Sequence, residues 1–330
     1  MAKNHFEFPW PMNVTPHRSD PLAGRAINDI GLIGDMIEAA LKAQGKVPRS
    51  DMVRDNGYLR AFHAINELGP HLFPLISQAE QKVIGTRTIT RDEQSEHFTR
   101  ASLYELHGVI DVLTEIEMSS AASENVIAHM IKENFDGISD KYEVVLDYKG
   151  SRRPKTTHDY WTQGAWQVQT YAWLRSKQVN SRKVIAGVLL YINELFPSED
   201  DMLLLKEEIK KAETDVIPQL GSEDYYLINT WNKGSQIPTL SIEFRLRRAI
   251  RIVSVDEKSI ISATNSFDDV VKKIETCVDS EAETGSLNGV WTPNGQEDSC
   301  ETCDFRFFCP DVYPRDAGGK SKILKAPDAP

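Results

Sequence analysis

The distribution of apolar and polar residues along the chain predicts that helices and strands mix without strict alternation. Residues 183–193 (KVIAGVLLYIN) form an almost uninterrupted apolar run, which is typical of a strand buried on both faces. In residues 26–46, by contrast, apolar residues recur every three or four positions, which predicts an amphipathic helix. The same reasoning predicts strands at 82–90, 102–116, 142–150 and 183–193, one or two strands at 242–255, and helices at 26–46, 57–82, 160–177, 201–213 and 266–280.

Together these elements predict an α/β fold with a mixed central sheet flanked by helices. The expected organisation is an irregular, Pro-rich N-terminal segment at 1–25, a core at 26–290 with insertions at about 116–141 and 194–240, a cysteine cluster segment at 291–314, and a disordered tail at 315–330.

Composition and charge narrow the class of protein. The 330 residues are 40% hydrophobic and carry a net charge of −11, which argues against non-specific coating of nucleic acid. The sequence has no uninterrupted apolar stretch long enough to span a membrane and no apolar segment at its N-terminus that would serve as a secretory signal. We therefore expect a cytoplasmic protein that does not engage a membrane.

Two charged residues end the strand predicted at 142–150. Asp147 and Lys149 are two positions apart, so their side chains point to the same face of the strand. Asp111 lies in the middle of another apolar strand and could converge with Asp147 on one divalent cation. Mg²⁺ or Mn²⁺ prefers such oxygen ligands, and Lys149 could orient the attacking water or stabilise phosphate charge. Taken singly, the three residues also fit a solvated ion pair and a strand-edge acid.

The helix predicted at 160–177 carries a second polar pattern. Gln167 and Tyr171 are four residues apart and share one face, where they could contact a phosphate, a base or a sugar. The same helix can also be read as an amphipathic element whose aromatic residues, Trp166, Tyr171 and Trp173, simply fill the core.

In order along the chain, the segments GVID, VVLDYKG, QVQTYAWL, LLYIN and CETCDFRFFCP resemble the PD-(D/E)XK nuclease superfamily, and within it the RecB-like branch that includes CRISPR-adaptation exonucleases. The resemblance implies a restriction-endonuclease-like fold and a metal-dependent nuclease. It implies that Asp111 and Asp147 bind the divalent cation, that Lys149 is catalytic, and that Gln167 and Tyr171 form the QxxxY motif.

The resemblance leaves two assignments open. The family places a His, or in other branches a Glu, on an N-terminal helix, and Glu38 occupies that position here, with His63 as the competing candidate. Asp136 and Asp140 compete with Asp111 for the role of first acid. We prefer Asp111, because only it lies inside an apolar strand.

The cysteines are concentrated near the C-terminus. Cys300, Cys303 and Cys309 have the spacing of metal ligands, and such close thiols in a reducing compartment are ligands more often than disulfides. The resemblance implies a [4Fe–4S] cluster whose fourth ligand normally comes from upstream of the nuclease motifs. This chain has no cysteine before Cys277, which could substitute or could be a buried helix residue. Zinc is the alternative metal.

Basic residues are placed where a phosphate backbone could lie. Arg152, Arg153 and Lys155 follow the strand that ends at Lys149, and a second group comprises Arg245, Arg247, Arg248 and Arg251. The first group predicts contacts with DNA, as single strands or duplex ends. For the second group, taken alone, we favour ordinary surface charge balanced by Glu and Asp.

The leading hypothesis is a metal-dependent DNA nuclease, an exonuclease or end-processing enzyme in DNA repair or phage and plasmid defence, alone or with a helicase or defence-system partner protein. Three alternatives stay open: a non-catalytic module that binds DNA or protein, a sequence-specific restriction-type endonuclease, and an RNA-directed nuclease.

Overall fold

A computed structural model describes residues 38–48, 50–88, 103–117, 124–135, 141–285 and 289–292. The chain divides into two compact units, of which the first comprises Met1–Arg87 and Leu103–Ser266 and the second comprises Thr88–Ser102 and Phe267–Pro330. The first unit contains the sheet and most of the helices described below.

A five-stranded mixed sheet forms the centre of the first unit, as the sequence predicts. The strands follow the order β1-β2-β3-β4-β5 across the sheet. β3 pairs antiparallel with β2 and parallel with β4, and β4 pairs antiparallel with β5. The strands are β1 (Ile76–Thr88), β2 (Leu103–Glu117), β3 (Lys141–Lys149), β4 (Val184–Tyr191) and β5 (Ile250–Ser254).

Helices flank the sheet and fill the connections between strands. They are α1 (Asp51–His63), α2 (Gly69–Leu72), α3 (Val126–Asn134), α4 (Asp159–Ser176), α5 (Glu199–Lys211), α6 (Glu223–Thr230), α7 (Ile242–Ala249) and α8 (Glu257–Thr284), with a π-helical turn at Ala64–Leu68 and 3₁₀ turns at Phe73–Leu75 and Ile192–Leu195. No helix in the described ranges is long and apolar enough to cross a membrane.

Two predicted elements are wrong in type. Residues 76–82, predicted as helix, begin strand β1, because pairing with β2 overrides the helix-forming residues of this edge strand. Residues 242–249, predicted as strand, form α7. Ser241 caps this helix by accepting a hydrogen bond from the Phe244 backbone N–H.

The sheet buries residues on both faces, because successive side chains of a strand point to opposite faces. On one face, Val112 and Leu146 lie directly opposite each other and join a core with helix α3. On the other face, Leu113 and Val145 lie opposite each other and pack against α4. On β3 the odd-numbered positions therefore face α4, whereas on β2 both Leu113 and the even-numbered Gly108 and Ile110 lie on that face.

Helix α4 lies close to the sheet because glycines make room for it. A Cβ added at Gly187 of β4 would lie 2.3 Å from Val168 Cγ2, and one added at Gly108 of β2 would lie 2.9 Å from Tyr171 Cε1. Both distances are shorter than real Cβ contacts, so only glycine permits this approach. The position of α4, and of the polar residues on it, is therefore fixed by the sheet.

The predicted insertion at 194–240 contains α5 and α6, which build a further core together with α7. Its buried residues are Met202, Leu205, Ile228, Trp231, Leu240 and Phe244. Beside this core, Arg248 is buried and donates two hydrogen bonds to Glu194, at 2.6 and 2.9 Å. A buried ion pair thus links α7 to the 3₁₀ turn that follows β4.

Candidate active site

Asp147 and Lys149 lie together at the end of β3, on the face that α4 covers. The Asp147 side chain is 4% exposed, and its Oδ2 is 2.6 Å from Lys149 Nζ. Gln167 bridges the two residues: its Nε2 donates to Asp147 Oδ1 at 3.0 Å, and its Oε1 accepts from Lys149 Nζ at 2.6 Å. The Gln167 amide is thereby oriented from both ends.

Tyr171 extends this network along α4. Gln167 Nε2 also lies within hydrogen-bonding distance of the Tyr171 hydroxyl, at 3.2 Å. Four residues that the sequence analysis selected from two elements, Asp147, Lys149, Gln167 and Tyr171, are thus joined by direct contacts.

Asp111 completes the group from the neighbouring strand. Its Oδ2 accepts a hydrogen bond of 2.9 Å from the Tyr148 backbone N–H. Asp111 directly precedes Val112, which lies opposite Leu146, and the hydrogen bond from Tyr148 places its carboxylate at the end of β3 that carries Asp147. The Asp111 charge acts on the Asp147 carboxyl, where it helps to raise the pKa.

The electrostatics of Asp147 favour a bound cation. Burial raises the pKa of this carboxyl, Lys149 opposes the shift, and the negative charge of Asp111 adds to it. Asp147 Oδ2 is buried, and the Lys149 ammonium nitrogen lies 2.6 Å from it. Two neighbouring carboxylates, one of them buried, suit a hard divalent cation.

The described residues supply only two carboxylates at this position. No group of three or more His, Cys, Asp or Glu side chains in the described ranges is arranged to hold a metal ion. Mg²⁺ is commonly bound by one or two protein carboxylates, with water in its remaining coordination positions. The two carboxylates therefore fit the ion that the sequence predicts.

Comparison with protein families agrees with this geometry. The family model for the PD-(D/E)XK nuclease superfamily matches residues 76–310, a range that contains Asp111, Asp147, Lys149, Gln167 and Tyr171. The chain belongs to the PD-(D/E)XK nuclease superfamily. A comparison with curated proteins gives no match.

The N-terminal candidates for this PD-(D/E)XK site have other partners. Glu38 pairs with Lys42 at 2.8 Å and accepts a hydrogen bond from the Tyr58 hydroxyl at 3.1 Å. His63 contacts Glu67 at 2.8 Å and stacks on the Phe196 ring with centroids 5.4 Å apart. The structure does not bring either residue into the hydrogen-bonded group around Asp147, and their assignment to the active site stays a prediction.

The basic residues after β3 are engaged in ion pairs. Arg152 donates to both carboxylate oxygens of Glu208, at 2.5 and 2.8 Å. Arg153 is 3% exposed and pairs with Asp215. Lys155 pairs with Glu213 at 2.7 Å. Through these ion pairs, all three residues hold the loop between β3 and α4 in place. Their contact with DNA stays a prediction.

The second basic group is mostly buried as well. Arg245, Arg248 and Arg251 are at most 6% exposed, and only Arg247 extends into solvent. The charge pattern of the sequence did not predict this burial. The available signal was the spacing of Arg245 and Arg248, three positions apart between apolar residues, which places both on one face of a helix.

Most of the cysteine cluster lies outside the described residues. Cys277 lies on α8, is half-buried, and its thiol donates to the Val290 carbonyl at 3.2 Å. Cys300, Cys303 and Cys309 are not among the described residues, and neither are Asp136 and Asp140, the competitors of Asp111. The cluster and its metal stay predictions.

Proposed function

We propose that this PD-(D/E)XK protein is a Mg²⁺- or Mn²⁺-dependent deoxyribonuclease that hydrolyses phosphodiester bonds. The single observation that carries the proposal is the contact group of Asp147, Lys149 and Gln167 beside Asp111. A buried acid, an ammonium group and a second acid are the parts that phosphodiester hydrolysis requires at one point.

Asp111 and Asp147 are the residues that would hold the cation. When bound there, Mg²⁺ or Mn²⁺ supplies Lewis-acid chemistry, neutralising phosphate charge and lowering the pKa of water. The buried position of Asp147 makes its interaction with a cation stronger than it would be in water, because less solvent screens the charge.

Lys149 has the chemistry to act on the phosphate itself. Its side chain is 26% exposed, so the ammonium group reaches the edge of the site while the carboxylate of Asp147 stays buried. The ammonium N–H groups can donate to a non-bridging phosphate oxygen and offset the negative charge that develops as water attacks. The hydrogen bond from Lys149 to Gln167 holds the lysine in position, and Tyr171 holds Gln167.

The finer parts of the proposal rest on the order of the sequence motifs. They are the RecB-like branch, an exonuclease or end-processing mode, a role in repair or defence with a helicase partner, and a [4Fe–4S] cluster or zinc ion on the C-terminal cysteines. Visible absorption and metal analysis of anaerobically purified protein distinguish iron–sulfur from zinc, and Cys303→Ser should lower the content of whichever metal is present.

The test of the proposed function is DNA cleavage. End-labelled single-stranded and duplex DNA is incubated with the wild type and with Asp147→Asn, in Mg²⁺, in Mn²⁺ and in EDTA. Asp200→Asn is the matched control, because this carboxylate is 77% exposed and pairs with Lys233 on the surface. We expect cleavage that EDTA and Asp147→Asn abolish and Asp200→Asn preserves. Equal cleavage by the wild type and Asp147→Asn would overturn the proposal, and a wild type that neither cuts DNA nor binds Mn²⁺ would favour the non-catalytic module.

A further inference from the structure

An exposed aromatic pair stands at the start of α4. Tyr160 is 65% exposed, and its ring stacks on the ring of His158 with centroids 4.9 Å apart and an interplanar angle of 29°. The Tyr160 hydroxyl makes no hydrogen bond to any residue in the described ranges. The ring therefore contributes little to the folded core, while its face is available to a ligand.

The position of Tyr160 relates it to the candidate active site. Tyr160 precedes Gln167 by seven residues, which is almost two helical turns, so both side chains lie on one stripe of α4, about 10 Å apart along the axis. Gly164 packs against Leu189, whereas Val168, farther along α4, packs against Gly187. Towards its N-terminus α4 therefore runs towards the carboxyl ends of the parallel strands, and Tyr160 lies beyond the end at which Asp147 and Lys149 are found.

The start of α4 is held rigidly. The guanidinium of Arg251 lies over the Trp161 ring, 3.3 Å from its centroid, and donates to the Trp161 carbonyl at 2.9 Å. On the other side, His158 Nδ1 accepts a hydrogen bond of 3.2 Å from the Tyr160 backbone N–H. A ring on a fixed backbone loses little conformational entropy when it binds.

We propose that His158 and Tyr160 form a stacking platform for an unpaired base of single-stranded DNA, next to the phosphate that Lys149 contacts. This inference rests on the proposed function and adds the form of the substrate. Every base has a π-face, so stacking on tyrosine binds single strands with little sequence preference. A base inside a duplex has both faces covered by its neighbours.

The ring, and not the helix terminus, is the recognition element. Asp159 is exposed and occupies the first turn of α4, where its negative charge opposes a phosphate. A nucleotide that approaches this end is therefore favoured through its base, and its phosphates extend towards Lys149.

The experiment measures the dissociation constant of fluorescently labelled DNA by anisotropy, in EDTA so that no strand is cut. The probes are a single strand of natural bases and a strand of the same length built entirely of abasic sites. The proteins are the wild type, Tyr160→Ala, Tyr160→Phe, His158→Asn and the control Tyr226→Ala. Tyr226 is 66% exposed on α6 and so matches Tyr160 in type and exposure. His158→Asn removes the ring but keeps a good N-cap residue.

We expect Tyr160→Ala to weaken binding of the natural strand about 5- to 150-fold, the range for the loss of one stacked base, and to leave the abasic strand unchanged. Tyr160→Phe should bind like the wild type, His158→Asn should lose a smaller factor, and Tyr226→Ala should lose nothing. Three results would overturn the inference. The first is an equal dissociation constant of Tyr160→Ala and Tyr226→Ala for the natural strand, and the second is an equal loss of affinity by Tyr160→Ala for the natural and the abasic strand. The third is a wild type that does not bind the natural strand more tightly than the abasic one.

Failure of this inference is distinguishable from failure of the proposed function. Asp147→Asn should bind the natural strand but not cut it in Mg²⁺. A wild type that never cuts, yet binds in a base-dependent and Tyr160-dependent way, would contradict the nuclease and leave the platform standing. A wild type that cuts, with binding insensitive to Tyr160→Ala, would contradict the platform alone.

Discussion

The neighbouring residues Arg247 and Arg248 permit a sharp test of the interior that supports the candidate site. Arg248 has a 2% exposed side chain and donates to both oxygens of Glu194 and, at 2.8 Å, to Thr214 Oγ1. Arg247 is 57% exposed and lies 3.6 Å from Glu243, which is 80% exposed. One arginine is enclosed and fully bonded, and the other is a surface charge.

The substitution Arg248→Met removes the charge and keeps a long apolar side chain. Glu194 is 6% exposed and would keep the Arg153 backbone N–H, at 2.7 Å, but lose its principal cation. Removing one partner of a buried ion pair typically costs about 3–5 kcal/mol, which is a large part of the ~5–15 kcal/mol that stabilises a folded domain. Arg247→Met should leave the unfolding midpoint unchanged, since exposed ion pairs contribute little.

The assay is chemical denaturation in urea, followed by far-UV circular dichroism, with midpoints compared at unchanged slope. The double variant Arg248→Met/Glu194→Met removes both charges and should recover part of the loss, because no buried charge is left unpaired. If Arg248→Met unfolds at the same urea concentration as Arg247→Met, our account of the buried network is wrong.

Three further predictions follow from the packing and the charges. Gly187→Ala should destabilise the protein by about 1–3 kcal/mol and reduce DNA cleavage, since the new Cβ would press on Val168, next to Gln167. Gly57→Ala, in open space on α1, should instead stabilise the protein by up to about 1 kcal/mol. Thermal melting compares the two variants, and an equal change in stability would contradict the packing described for Gly187. Burial raises the pKa of Glu194, but Arg248 outweighs burial and the net pKa lies below its ordinary 4.5. As pH falls, the unfolded state therefore binds the proton first, so the stability that this carboxylate contributes is present above pH 4.5 and is lost as pH falls through the lower folded pKa. Between pH 6 and pH 3, the melting temperature of Glu194→Gln should fall less steeply than that of the wild type. Parallel plots of melting temperature against pH would contradict the pairing of Glu194 with Arg248.

The sequence predicted the centre of the candidate site because its residues obey short-range periodicities. Asp147 and Lys149 share a face through the two-residue period of a strand, and Gln167 and Tyr171 share one through the helical period. To place Asp111 near Asp147, it was enough to expect that the strand of Asp111 pairs with β3, and the register confirms that β2 and β3 pair.

The rest depended on contacts between residues that are distant in the sequence. Arg245 and Arg248 of α7 look like part of a surface group, and the approach of Glu67 to Arg245 and of Glu194 to Arg248 from other elements makes their burial possible. Residues 76–82 have a helix-forming composition, and pairing with β2 alone makes them a strand. No local pattern carries this information.

The most direct test of the account is single-turnover DNA cleavage in Mn²⁺ by the wild type, Lys149→Ala and Lys233→Ala. Both substitutions remove an ammonium that pairs with an aspartate, but Lys149 lies at the buried Asp147 and Lys233 pairs with the exposed Asp200. Loss of one preorganised donor at a reacting phosphate typically lowers the rate about 10²–10³-fold. We predict a loss of this size for Lys149→Ala and an unchanged rate for Lys233→Ala. Cleavage by Lys149→Ala at the wild-type rate would contradict the assignment of the active site.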